Sequence, residues 1–361
     1  MRLLFVGTSP FGRGTETHLV SLARAMAQAG HEVLTVAHPE GYVARELRAG
    51  GLAVEPGIFR NAVDPRGARA VLRAVRRLRP EWLVGSFGHE YWPLALLGKW
   101  TGTRVALFRH LNSRLKPSTR MLVTRWVDRF IAVSESMRAH LAAQGLPSER
   151  VQLLYNPLDL GHFRPQARLR EETRAALGLT PEELLVGFVG SLEEAKGAFR
   201  LAEALNQAMP ATPHLRALWV GQEKAHARLR EALSPALRER HTLRGWTADV
   251  RPLYAAMDVL AMPSEVRESF GRVSIEAQAC GVPVLGSRLG GIPETLQEGT
   301  TGWLLPPGDV AAWREGLLTV ARLPPEHRRE MGLAGARFVA EHFGLPHIAA
   351  RFTALLQSDT P

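Results

Sequence analysis

A single cysteine, Cys280, in 361 residues excludes an internal disulfide and suits a reducing compartment. Lysine is almost as scarce: only four of the 45 Lys and Arg residues are lysine, so arginine carries the positive charge. No apolar stretch approaches the roughly eighteen residues that a membrane-crossing helix needs. The opening MRLLFVG has one arginine and a short apolar run closed by glycine, too brief for a secretory leader and better read as a first strand. There is no repeat at a spacing of about 20–50 residues and no low-complexity tract. HExxH, paired His/Cys spacings and acidic clusters are all absent, so the sequence calls for no metal. What remains is 45% apolar and 22% charged, the balance of a soluble globular protein. Its length predicts two domains of ordinary size, each with its own core.

The net charge of +10 is unevenly placed. Residues 1–165 carry 23 Lys or Arg against 12 Asp or Glu, a balance of +11. Residues 166–361 carry 22 against 23, a balance of −1. The excess is densest in Arg66–Arg79 and again in Arg104–Arg129. Such asymmetry predicts an anionic partner for the first half, with lipid headgroups and nucleic acid as the two candidates. The alternative is an arginine-rich composition with no partner.

Apolar runs at Leu3–Val6, His31–Val36, Trp82–Val84, Val105–Phe108 and Phe130–Val133 alternate with helical patterns in the first half. The clearest helix is Thr15–Ala29, with Leu19, Leu22, Ala23 and Met26 on one face and Gly30 as its stop. A parallel sheet with helices on both faces follows. The loop Gly12-Arg13-Gly14 invites a dinucleotide reading, but Thr17 stands where a third glycine belongs. The second strand also ends in Ala37-His38-Pro39, without the acid that a nicotinamide cofactor needs. In the second half, Leu184–Val189 and Leu215–Val220 read as strands, and Gly190–Gly197 fails the phosphate-loop pattern G-x-x-x-x-G-K-[ST]. Cys280, in Gln278-Ala279-Cys280-Gly281, reads as a small helix residue.

The stretch Pro263–Glu294 organises the rest. The run ending at Met262 reads as a buried strand, Val273–Cys280 as a short helix stopped by Gly281, and Val282–Gly286 as a further strand. Glu268 then lies on the loop entering the helix, and Glu276 within its first turns. A helix N-terminus gathers free N–H groups that favour phosphate. Gly271 lets a ligand approach the backbone, and a carboxylate inside such a helix can accept from ribose hydroxyls.

Here E-S-F-G, then E-A-x-A-x-G-x-P-V eight residues after the first glutamate, then G-G-x-x-E, resembles the E-x7-E signature of retaining GT-B glycosyltransferases of family 4. Three other segments are similar to the same family. Arg13-Gly14-Thr15-Glu16 resembles its glycine loop, with arginine in place of the first glycine. Asn156-Pro157-Leu158-Asp159 resembles the segment that closes its first domain. Gly190–Gly197 resembles its G-R-L-x-x-x-K-G, with Lys196 matching and Ser191 in place of the arginine. The resemblance covers Leu3 to about Phe343.

The resemblance implies an α/β fold of GT-B type: two Rossmann-like doubly wound domains facing a central cleft, with a C-terminal helix crossing back to the first. The first domain would be 1–165, basic and on the acceptor side. The second, 166–343, would hold the nucleotide-sugar, and 344–361 would form the returning helix. Implied catalytic residues are Glu268, Lys196 and His110. Implied donor-binding residues are Glu276, Ser269, Phe270, Gly271, Arg272, Val273, Gly14, Ser191 and Gly245. Arg272 and Arg13 are the expected substitutes for the missing arginine at 191, and Trp246 is expected in the core. His89, after another strand end, is a weaker candidate. No cofactor is implied; the donor substrate is a UDP-sugar ahead of a GDP-sugar. The acceptor is a saccharide or a lipid-linked saccharide of the cell envelope. Other partners are an anionic membrane surface met by the basic half, and no nucleic acid. The expected location is the cytoplasm, peripheral to the inner face of the membrane. Alternatives on the same scaffold are a nucleotide-sugar epimerase or hydrolase, and a non-catalytic carbohydrate- or lipid-surface-binding protein.

Overall fold

The computed structural model describes residues 1–358. It divides into two compact units: Met1–Asp159 with Phe343–Pro361, and Leu160–His342. The changeover falls ahead of residue 165, because Pro165 already packs beside Gly281 inside the second unit.

The first unit alternates strands and helices: β1 Arg2–Gly7, α1 Gly14–Gln28, β2 Glu32–Ala37, α2 Tyr42–Ala49, β3 Ala53–Pro56, α3 Pro65–Leu78, β4 Trp82–Gly85, α4 Tyr91–Thr101, β5 Arg104–Arg109, α5 Pro117–Trp126, β6 Arg129–Ala132, α6 Glu135–Ala143 and β7 Val151–Leu153. The second continues with α7 Ala167–Ala176, β8 Leu184–Val189, α8 Ala198–Ala208, β9 Leu215–Val220, α9 His226–Ala232, β10 His241–Arg244, α10 Arg251–Ala256, β11 Val259–Met262, α11 Arg272–Ala279, β12 Val284–Ser287, β13 Gly302–Leu305, α12 Val310–Arg322 and α13 Pro325–Phe343. A last helix, α14 Leu345–Gln357, packs on α1 in the first unit.

Both sheets are wholly parallel, as near-continuous apolar strands require when both faces are covered. Their orders are β3-β2-β1-β4-β5-β6-β7 and β10-β9-β8-β11-β12-β13. Strand order reverses between β1 and β4 in one and between β8 and β11 in the other. Ligands of open α/β sheets bind beyond the carboxyl ends of strands at such switch points. The fold therefore singles out one edge position in each unit before any side chain is considered.

Helices cover the sheets with matched apolar faces. In the first unit α3, α4 and α5 place Val71, Ala74, Leu94, Leu122 and Val123 on the sheet side, over Leu83, Leu107 and Phe130. In the second, α8 and α12 pack Leu201, Leu205, Trp313 and Leu317 over one face, while Tyr254, Ala277 and Cys280 lie over the other. Opposite the switch point, at the amino ends of β8 and β11, Asp258 accepts from Arg170 at 2.6 Å, Arg174 at 3.0 Å and the Leu185 N–H at 2.7 Å. That network anchors α7 and is architectural. The return of the chain is fixed by the Leu158 N–H donating to Phe343 O at 2.8 Å and Arg129 donating to Leu355 O at 2.9 Å. Phe352 of α14 meets Phe108 with ring centroids 5.5 Å apart. No helix among the described residues is long and apolar enough to cross a membrane.

Candidate functional site

Beyond the carboxyl ends of β8 and β11 lies a cavity of about 160 Å³, lined by Gly190, Lys196, Ser264, Glu268, Arg272 and Val273 among others. Its walls meet because Gly197 adopts φ +70, and a Cβ there would lie 1.9 Å from the carbonyl oxygen of Pro263. Only glycine permits both that backbone conformation and that approach. It brings the turn Glu194–Lys196 against the segment after β11. Lys196 Nζ then donates to Glu268 Oε1 at 2.6 Å, and Ser264 Oγ donates to the same oxygen at 2.7 Å. The other side of Glu268 is wrapped by the glycine pair. The Gly291 N–H donates to Glu268 O at 2.9 Å, and Gly290, at φ +64, leaves no room for a Cβ against the Glu268 backbone.

Gly271 is the N-cap of α11 with φ +116, so it turns the chain into the helix as well as exposing its N–H groups. Glu276, on that helix, accepts from Arg272 Nε at 2.7 Å and from the Tyr254 hydroxyl at 3.1 Å. Tyr254 is fully buried, and its hydroxyl pKa is raised well above the phenol range by burial first and Glu276 second. It therefore stays a donor to Glu276. Burial, with Glu276 adding to it, also pushes the Cys280 thiol up to about 12, which makes it an inert packing residue.

Of the residues singled out in this unit, Lys196, Glu268, Arg272 and Val273 line one cavity, with Gly271 and Glu276 on the adjoining helix end. Ser269 is half-buried on the same loop, and Phe270 is a core residue whose contribution is to anchor that loop. Ser191 accepts from Gln222 Nε2 at 3.3 Å and supplies no cation. Arg272 is on the cavity wall, yet its Nε is engaged by Glu276. Gly245 ends β10 where a Cβ would strike the Glu223 carboxylate, 2.5 Å away. Trp246 is not in the core: it is 75% exposed, because the Gly245 turn carries it off the end of β10 rather than under the sheet. Tyr254 escaped the sequence reading, since one tyrosine in an apolar helix carries no motif.

The first unit's switch point is built differently. Glu90, entirely buried at the start of α4, accepts from the Thr8 N–H at 2.8 Å and the Thr8 hydroxyl at 2.7 Å. Thr8 also accepts from the Phe59 N–H at 3.2 Å, so one carboxyl ties together the loops after β1, β3 and β4. Burial pushes Glu90 up to about 7. His89 Nε2 stands 3.8 Å from its Oε1. The glycine loop is closed at its far end by Glu16, which accepts from the Ser9 hydroxyl and, at 3.1 Å, from the Arg13 N–H. Arg13 itself is exposed, its guanidinium over the Phe11 ring at 4.9 Å. Apart from its chain neighbours and its own helix backbone, a Cβ built on Gly14 would meet open space among the described residues. His110 follows β5 with its ring edge-on to that of His18, centroids 4.5 Å apart. Burial, aided by Arg109, pushes it down to about 3, so its imidazole is neutral across the physiological range. Glu90 also escaped the sequence reading, since nothing in Gly88-His89-Glu90-Tyr91 says that its carboxyl is buried. Among the described residues no group of His, Cys, Asp and Glu is arranged to hold a metal ion.

Comparison with known proteins agrees with this architecture. Residues 12–162 match the model of Glycosyltransferase Family 4, and residues 183–322 match that of Glycosyl transferases group 1. The D-inositol 3-phosphate glycosyltransferase of Segniliparus rotundus is 33% identical over 216 residues, which are 58% of this chain and 47% of that protein. The Mycobacterium bovis enzyme of the same name is 31% identical over 223 residues, 59% and 45% of the two chains. The matched region thus spans about half the length of these relatives. Among solved structures, a glycosyltransferase from Rickettsia africae superposes with TM-score 0.87 at 18% identity, covering 99% of this chain and 97% of that one. Anabaena HepE, solved with UDP and glucose, superposes with TM-score 0.80 at 22% identity over 99% of each chain. Two doubly wound parallel sheets, the two family models on successive stretches and these superpositions lead to one conclusion: the chain has the GT-B fold and belongs to the group 1 glycosyltransferases.

Proposed function

We propose that the protein is a retaining glycosyltransferase that moves a hexose from a nucleotide-sugar, a UDP-sugar ahead of a GDP-sugar, to a saccharide or lipid-linked acceptor of the cell envelope. The observation that carries this reading is the pair of carboxylates, Glu268 and Glu276, each held by a cation around the cavity at the β8/β11 switch point. In this reading the diphosphate lies at the amino end of α11, where free N–H groups and Lys196 stabilise the charge that grows on the leaving group. Glu276, held by Tyr254 and Arg272, accepts from the ribose. Glu268 orients the sugar hydroxyls. His110, neutral and at a strand end, donates to or accepts from the sugar or phosphate without adding charge. Donor binding by HepE, whose solved complex holds UDP and glucose, is consistent with the choice of nucleotide.

Lys196 donates to Glu268, so a diphosphate at this cavity competes with that carboxylate for the ammonium. That competition supports selectivity for a dianionic ligand over a neutral sugar. Retention is proposed through front-face attack, with the leaving phosphate taking the acceptor proton. Thermal unfolding with UDP, GDP, ADP and their sugars tests the donor: a ligand that binds only the folded state at about a hundred times its Kd raises stability by about 2.7 kcal/mol. A UDP-specific rise is expected, and no rise with any nucleotide overturns the reading. The anomeric configuration of the product, by proton NMR, tests retention.

A further inference from the structure

The layer of α3, α4 and α5 covers one face of the first sheet, and its outward side has a composition of its own. On α3, Arg69, Arg73 and Arg76 follow one another at four- and three-residue spacing, all exposed and none paired with a carboxylate among the described residues. On α4, Leu96 is 50% exposed and Trp100 70% exposed, with Lys99 beside them. On α5, Met121 is 47% exposed and Trp126 38% exposed, with Arg125 between them. The helices are joined across this side: Trp92 of α4 meets Trp126 of α5 edge-on, centroids 6.0 Å apart. A hollow of about 640 Å³ between α3 and α4 is lined by Arg76, Arg79 and Trp100. From Tyr91 to Val127 the chain has seven Lys or Arg and no Asp or Glu.

We infer that this three-helix face is a docking surface for an anionic lipid bilayer. Two features choose a bilayer over other anionic partners. Large apolar side chains stand among the cations rather than apart from them, and Trp with Lys and Arg is the set that settles at the headgroup boundary. Each cation near such a surface adds attraction, and α3, α4 and α5 themselves carry no Asp or Glu. A nucleic acid would reward the arginines and leave Leu96 and Met121 in water. A protein partner would have to be acidic throughout to match helices that carry no Asp or Glu. The geometry also says how the unit would rest. Trp100, Trp126 and the cations around them lie beside the amino ends of β4, β5 and β6, so a bilayer there leaves the carboxyl ends, with Glu90 and His110, uncovered. This rests on the lipid-linked acceptor of the proposed function and is independent of the chemistry at Lys196 and Glu268.

The test is sedimentation of the full chain with vesicles of phosphatidylcholine alone and of phosphatidylcholine mixed equally with phosphatidylglycerol, at low and high salt. Binding at least tenfold tighter to the mixed vesicles, weakened by salt, is expected. Arg73→Glu with Arg76→Glu lowers it a further tenfold or more, and Trp100→Ala with Trp126→Ala lowers it several-fold at both salt concentrations. Equal binding to the two vesicles, binding to neither, or binding untouched by both double variants overturns the inference, as does retention on duplex DNA without vesicle binding. The UDP-dependent melting shift is measured on the same variants. Its persistence shows that they fold and that the donor site stands, so failure of docking and failure of the transferase reading are separate results.

Discussion

The crevice end of the second sheet holds two carboxylates, each met by a cation, whereas that of the first holds a carboxyl met by a hydroxyl, an amide and a histidine. Both occupy switch points of parallel sheets, so the difference lies in side chains and not in topology. In the second unit charge is matched pair by pair and partly open to water, which leaves it ready to be exchanged for the charge of a ligand. In the first, burial has driven Glu90 toward its neutral form near neutrality and His110 firmly into its neutral form. Glu90 and His110 held in this way suit hydroxyls better than phosphates, with Glu16 and Arg109 the charges beside them. The comparison teaches that one scaffold can make, from the same strand-end position, a site of paired charges and a site whose buried acid and imidazole are held toward neutrality.

The largest effect that bears on this contrast is expected at Lys196. Lys196→Ala leaves Glu268 without its cation and the diphosphate without its counter-charge, and kcat/KM for sugar transfer should fall by about 10²–10³. Unchanged transfer would remove the electrostatic half of the comparison. Next is Glu90→Gln. A carboxyl whose pKa folding raises from 4.5 to about 7 makes the folded state the better proton acceptor. Its contribution to stability therefore falls as pH rises from about 4.5 to 7, by about 3 kcal/mol, and is level above that. His110 works in the opposite sense, its lowered pKa costing stability as pH falls below 6.5. The difference in denaturant-derived stability between the parent and Glu90→Gln isolates Glu90. It should shift toward the variant between pH 5 and pH 7.5; a flat difference would mean Glu90 is not the buried acid described.

A smaller effect is expected from Tyr254→Phe, which removes one hydrogen bond from Glu276. A loss of about 1–1.5 kcal/mol corresponds to about five- to twelvefold weaker UDP binding, by calorimetry. A change in stability with no change in affinity would make Tyr254 a packing residue only. The smallest is the exposed i,i+4 pair Arg168–Glu172 on α7. Arg168→Ala should cost about 0.3–0.5 kcal/mol in urea unfolding, the scale against which the switch-point pairs are judged.

Much of this was legible in the residues. Leu3–Val6, Val105–Phe108 and Leu184–Val189 each lie within an observed strand, because short continuous apolar runs bounded by charged residues or glycine admit few other buried conformations. The stretch around Glu268 and Glu276 was legible because its glycines serve backbone geometry: φ +116 at Gly271 and φ +64 at Gly290 leave little choice of residue. Trp246 went the other way. Its hydrophobicity argued for the core, but a turn at Gly245 places it in water, and composition does not reveal which side of a turn a residue leaves. Arg272 lines the cavity, and only the structure shows that a carboxylate four residues on holds its Nε.

By itself the sequence determined the alternation of strands and helices, the parallel sheets and the neighbourhood of Glu268 and Glu276, since these depend on periodicity and on glycines within a few residues of one another. Only the tertiary structure decided that Lys196 faces Glu268, that Glu90 is sealed beneath Thr8, and that arginines and tryptophans from three helices share one face. Those contacts join residues far apart along the chain. Their energies are set by burial and distance, which exist only once the sheets have brought the strand ends together.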